Sequence, residues 1–226
     1  MTRVRHFQEE LDRLKAMLLE MANLAEASVD ASVESLLERD AAKAKAVVEA
    51  DDLIDDLELK VDDMVTHLLA LQAPVAGDLR LIIMALKISS ALERVGDHAV
   101  NIAEAVSYLL EGAPTRTPPE IEEMVRLATD MLNDALDAFV RRDTQLARDV
   151  RDRDDKVDRL HESTFRILLT HMMEDPRRIG PGMDMLLVSR NLERIADLAT
   201  NIAEDVVYLV EGAIIRHRPS IQENVH

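Results

Sequence analysis

Four polar residues recur as a set in this chain. Glu93, Asp97, Asn101 and Glu104 lie at steps of four, four and three, and the same residues return 100 positions later as Glu193, Asp197, Asn201 and Glu204. On an α-helix a step of four turns a side chain by only about 40°, so each set is one polar stripe along one helix face. Leu92, Val95, Ala99, Ile102, Val106 and Leu109 fall on the other side, which keeps the stripe out of the core. Carboxylates with an amide oxygen and no thiolate are the donor set of hard cations. They suit Mg²⁺, Ca²⁺ or Mn²⁺ and can also hold iron.

A second acid row lies upstream in each half. Asp51, Asp55, Glu58 and Asp62 align on one helix face with Asp52 and Asp56 beside them, and the later half offers Asp154, Asp155 and Asp158. If the two rows of a half face one another, several carboxylates come within about 6 Å, and each like-charge contact costs roughly 1 kcal/mol in water and several at lower dielectric. A cation would relieve that cost. The alternative is a solvated acidic face, in a chain with 44 Asp and Glu; retention of the stripe in both copies favours function. The histidines carry less. Only Asp158-Arg-Leu-His161 approaches the Glu-x-x-His spacing of di-iron bundles, and the counterpart of His161 is Glu58. His161 reads as a surface residue, as do His6, His217 and His226, while Met172 and Met173 read as packing. Arg177-Arg178 is either a partner contact or a solvated loop. There is no glycine-rich phosphate loop and no Ser/His/Asp arrangement that maps to one site.

The elements that must position these rows are helices, and the chain is a duplication. Counting Ala91 and Asn191, 15 of the 23 paired positions up to Ala113 and Ala213 are identical. Apolar residues at helical spacing predict a first helix from Val4 to about Arg39. Asp40 caps a second that runs to Pro74 and Gly77, and Asp78 caps a third that runs from Leu79 to about Glu111. Gly112 stops it, and Thr117-Pro-Pro-Glu120 starts the next helix with a hydroxyl cap. The second half repeats the first at an offset of 103, which falls to 100 after Met173, where Glu174 to Gly182 replaces Gln72 to Asp78. The expected fold is all-α: two tandem antiparallel three-helix bundles, with a first repeat over 1–113, a linker over 114–119, a second repeat over 120–213 and a tail over 214–226.

Composition limits the partners. A net charge of −17 and 2% aromatic residues argue against nucleic acid. The amino terminus is charged from its third residue and lacks the apolar stretch of a secretory signal, so a cytoplasmic location is expected. The longest strongly apolar run, Leu81 to Leu86, is far short of a bilayer span, so any membrane association runs through a partner. Leftover apolar positions such as Ile214-Ile215 allow a homodimer.

The residues resemble the PhoU family of phosphate transport regulators. The similarity covers nearly the whole chain and rests on APVAGDLRLIIMALKISSALERVGDHAVNIAE (Ala73 to Glu104), RNLERIADLATNIAEDV (Arg190 to Val206), RDDKVDRL (Arg153 to Leu160) and MMEDPRRI (Met172 to Ile179). The resemblance implies a cytoplasmic adaptor and negative regulator that links the ATPase of a phosphate ABC transporter (PstB-like) to a sensor histidine kinase (PhoR-like). It also implies metal ligands at Asp51, Asp55, Glu93 and Asp97, and at Asp154, Asp158, Glu193 and Asp197. Where family members often carry a third carboxylate this chain has Asn101 and Asn201, which coordinate through oxygen but bring no charge. The rival expectations are a metal-dependent helical-bundle enzyme using the same acids, a purely structural helical module, and a transporter accessory without kinase control.

Overall fold

A computed structural model of the chain describes residues 2–112 and 116–212, with side chains from His6 onward. The first residues of the linker and the expected tail, with Ile214, Ile215, His217 and His226, lie outside them. Eight α-helices follow in order: α1 (Thr2–Glu38), α2 (Ala41–Ala50), α3 (Asp52–Gln72), α4 (Ala76–Glu111), α5 (Pro119–Arg141), α6 (Thr144–Arg151), α7 (Asp154–Glu174) and α8 (Ile179–Glu211), with a short 3₁₀ turn at Pro176–Arg178. Among the described residues there is no strand.

The expected second helix of each half is interrupted. Asp51 is a turn between α2 and α3, and Asp152-Arg153 is the equivalent turn between α6 and α7. The break has a physical sense. It places Asp52 and Asp55, and then Asp154 and Asp155, in the first turn of a new helix, where the unpaired N–H groups favour negative charge. Asp40 caps α2 as expected, accepting from the backbone N–H of Ala42 at 2.8 Å, and its duplicate Asp143 accepts from Gln145 and Leu146 at 3.0 Å. Both caps follow a left-handed arginine that ends the preceding helix, Arg39 or Arg142. Two expected caps are corrected. Asp78 sits inside the first turn of α4, whose N-cap is Val75, and Thr117 precedes Pro118, which caps α5 without a side-chain bond. In each case backbone preset by a neighbouring turn or proline starts the helix earlier or later than the polar residue would.

In the first bundle α1 packs against α2, α3 and α4; in the second, α5 packs against α6, α7 and α8. The cores are aliphatic. Leu14, Leu18, Met21, Val61, Leu68, Ile88 and Leu92 are buried in one, and Met124, Met131, Val157, Val188, Leu192 and Ile195 in the other. The two bundles join chiefly along α4 and α8, which share the most extensive contact in the molecule, with a smaller contact between α1 and α5. α4 and α8 run antiparallel. Arg80 at the start of α4 lies over the ring of Tyr208 near the end of α8, His98 Nδ1 is 2.9 Å from Asn191 Oδ1 at the middle, and Gly112 approaches Pro181 at the far end. Among the described residues no helix is long and apolar enough to cross a membrane.

Candidate metal centre

The expected core face of α4 is buried throughout: Leu92, Val95, Ala99, Ile102, Val106 and Leu109. Opposite it, the polar stripe faces α3. Glu93 is half-buried and Asp97 exposed, while Asp51 is half-buried and Asp55 exposed. The close approach of α3 to α4 depends on Gly96, which is buried. A Cβ there would stand 2.9 Å from Ile54 Cδ1 and 3.2 Å from Asp51 Oδ1, so a side chain at this position would push the acid row away. The equivalent residue in α8 is Ala196, and the smaller Val157 stands in α7 at the position equivalent to Ile54; both are buried.

The rows face each other where α3 packs on α4 and α7 on α8, and their charges interact. Burial pushes the Glu93 carboxyl up to about 7, helped by the charges of Asp97, Glu58, Asp55 and Asp51. Asp51 is raised by burial and then by Asp55 and Asp97, and Glu58 by burial and then by Asp62 and Asp55. In the second half Asp154 is pushed up to about 6 by burial and by Asp197 and Asp158, against a hydrogen bond from the Thr200 hydroxyl at 3.3 Å. Asp158 and Glu193 are raised as well, burial first and Asp197 next.

The two centres differ in compensation. Arg194 lies 2.9 Å from Asp197 and 3.3 Å from Glu193. Among the described residues no ion pair meets Asp51, Asp55, Glu58, Glu93 or Asp97. Asn101 and Asn201 are exposed, and the Asn201 amide N–H donates to the backbone carbonyl of Asp197 at 2.9 Å, which leaves its side-chain oxygen to the outside. The donors suit a hard cation by type. Among the described residues, however, no three His, Asp or Glu groups are drawn together as metal ligands would be.

Sequence reasoning missed several contributors. Thr200 and Ser90, which hydrogen-bond Asp154 and Glu58, carry no periodic signal, and Gly96 reads as an ordinary small residue until its neighbours are known. His161 is not a surface residue. It is half-buried with Nδ1 2.8 Å from the Ser189 hydroxyl, because α7 packs on α8 there. Met172 packs against the core but Met173 is 78% exposed, one position past the buried face. Arg177 and Arg178 are exposed and pair with Asp175.

Fold and site together define a class: an all-helical tandem duplication that carries a facing pair of acid rows on each copy. The chain belongs to the PhoU family, for the model of the PhoU domain matches residues 18–106 and again 121–206. It is 41% identical over 212 residues to the phosphate-specific transport system accessory protein PhoU homolog of Pseudomonas aeruginosa, covering 93% of this chain and 88% of that one. The homolog of the same name from Zymomonas mobilis is 39% identical over 209 residues, covering 92% and 88%. Among solved structures, PhoU from Pseudomonas aeruginosa superposes with a TM-score of 0.89 at 40% identity, covering 92% of this chain and 100% of that one. The phosphate transport system regulatory protein PhoU of Streptococcus pneumoniae gives 0.84 at 28% identity, covering 92% and 99%.

Proposed function

We propose that this chain is a cytoplasmic adaptor of phosphate-specific transport that acts as a negative regulator of the phosphate-starvation response and of phosphate uptake. It couples the ATPase of the phosphate ABC transporter (PstB-like) to a sensor histidine kinase (PhoR-like), working as a homodimer, and touches the membrane only through these partners. The observation that carries this reading is the pair of facing carboxylate rows kept in both copies of a chain whose relatives are named transport accessory proteins. The rows hold a hard cation, iron, Mg, Mn or Ca. Asp51, Asp55, Glu93 and Asp97 with Asn101 form the first site; Asp154, Asp158, Glu193 and Asp197 with Asn201 form the second. A bound cation supplies the positive charge that the rows lack and fixes the shape and charge of the face offered to partners.

Secreted phosphatase activity in phosphate-rich medium tests the regulatory role. A deletion of this gene should raise it and the gene on a plasmid should lower it again; low activity in both strains, with transporter and kinase present, would remove kinase control from the reading. The Asp97→Ala, Asp197→Ala double variant should derepress the phosphatase while keeping its helical circular dichroism. A metal-dependent enzyme is the second reading, favoured by a Glu93 carboxyl at about 7, a value suited to acid–base work. The open groove between α1 and α3, with a volume of about 700 Å³ and lined by Glu10, Lys60, Asp63 and His67, shares no residue with the rows. Turnover that requires added metal would favour the enzyme.

A further inference from the structure

The duplication supplies an internal control for one cavity. Near the end of α1 and α4, Leu36, Arg39 and Leu109 line a space of only about 10 Å³, into which Met185 of α8 also reaches. At the equivalent place in the other half, Phe139, Arg142 and Leu209 stand where Leu36, Arg39 and Leu109 stand, but the cavity volume is about 100 Å³. The counterpart of Met185 is Ala85, buried on α4 one turn from Leu81, which lines this larger cavity. The second cavity therefore lacks a methionine that the first contains. An apolar cavity of about 150 Å³ admits a benzene-sized molecule, so about 100 Å³ suits one aliphatic side chain.

The mouth reaches the surface, since Val140 is 56% exposed and Leu19 is 38% exposed. Lys15 and Arg142 stand at its lining. The filled counterpart has only Arg39, because Pro118 occupies the place of Lys15. With the Lys15 ammonium 2.9 Å from the Asp12 carboxylate, Arg142 is the cation this socket offers a ligand on a chain of net charge −17.

We propose that this socket between α1, α4, α5 and α8 is a docking site for a partner protein, taking one leucine- or methionine-sized side chain whose neighbouring carboxylate is held by Arg142. The apolar group fills space that Met185 fills in the other half, and Arg142 selects an acidic neighbour over a basic one.

Isocaproate, a leucine side chain carrying a carboxylate, probes the socket without any partner. Added to the full chain, it should shift the methyl resonances of Leu19, Val140 and Leu209 saturably. The shifts should disappear in Ala85→Met, which fills the socket from within, and in Leu19→Trp, which closes its mouth should the first variant fold poorly. They should weaken in Arg142→Glu and persist in Arg39→Glu. Absence of saturable shifts in the wild type, or equal shifts in the filled variants, would overturn the proposal. The purified phosphate transporter is the second arm and rests on the function proposed above: Leu19→Trp and Arg142→Glu should bind it about tenfold or more weakly. If the wild-type chain does not bind the transporter, that function fails while isocaproate still decides the socket. Transporter binding that is unchanged in both variants would overturn the docking role. Conversion of a dimer to a monomer by Leu19→Trp would assign the socket to a second copy and overturn the foreign partner.

Discussion

Gly96 and Ile54 form a pair whose counterpart is already written in the chain. In the first half a glycine of α4 meets an isoleucine of α3; in the second the equivalent positions are Ala196 and Val157, both buried, so a methyl has moved from one helix to the other. A Cβ at Gly96 would lie 2.9 Å from Ile54 Cδ1, closer than two carbons tolerate. Gly96→Ala gains about 1 kcal/mol of helix propensity but meets an overpacking cost of about 1–3 kcal/mol, so the single change should destabilise by about 1 kcal/mol. Ile54→Val alone leaves a methyl-sized gap and should cost about 0.5–1.5 kcal/mol. Together the two recreate the second-half packing and should be near neutral, a coupling of about 2 kcal/mol. Urea unfolding of the four proteins measures it. Additivity within about 0.5 kcal/mol would refute the argument that Gly96 sets the distance between the acid rows.

Other predictions follow from caps and charge. Asp40→Ala and Asp143→Ala should each cost about 1 kcal/mol in urea unfolding, because each carboxylate accepts from two backbone N–H groups at a helix start. The raised carboxyls give stability a pH dependence with a definite sign. Glu93 at about 7 and Asp154 at about 6 bind protons more tightly in the folded than in the unfolded chain, so their contribution is fully present below the ordinary carboxylate range and is lost as pH rises through those values. In chelator-treated protein the melting temperature should fall from pH about 5 to about 8, and Glu93→Gln should flatten the upper part of that fall; an unchanged slope in the variant would place the frustration elsewhere.

What the chain shows on reading is periodic or repeated. The apolar stripes of α1 and α4, the acid rows and the Arg-Asp helix boundaries at 39–40 and 142–143 depend on residues a few positions apart, so spacing alone exposes them. The rest depends on neighbours distant in sequence. Nothing near Gly96 says that Ile54 lies against it, and nothing near His98 says that Asn191 lies 2.9 Å away across the joint between the bundles. The turn at Asp51 is missed, because its acids also fit one continuous helix face, although clustered acids can equally mark a helix start. Met173 shows the converse: core spacing over a short window does not fix the last residue before a turn.

The same contrast between copies makes the two candidate cation sites unequal. Arg194 neutralises part of the second row through Asp197 and Glu193, so a cation arriving there must displace or share that guanidinium. In the first row the carboxylates repel without an ion pair among the described residues, and Glu93 is raised the more for it. A cation gains most where charge is least compensated, since binding to the folded state alone stabilises in proportion to its affinity. Mn²⁺ should therefore raise the melting temperature of the wild-type chain, Glu93→Gln should remove most of that rise, and Glu193→Gln should leave most of it. Arg194→Ala should strengthen the second site and bring the two toward equality. A larger loss from Glu193→Gln than from Glu93→Gln would mean that Arg194 organises the carboxylates for the ion instead of competing with it.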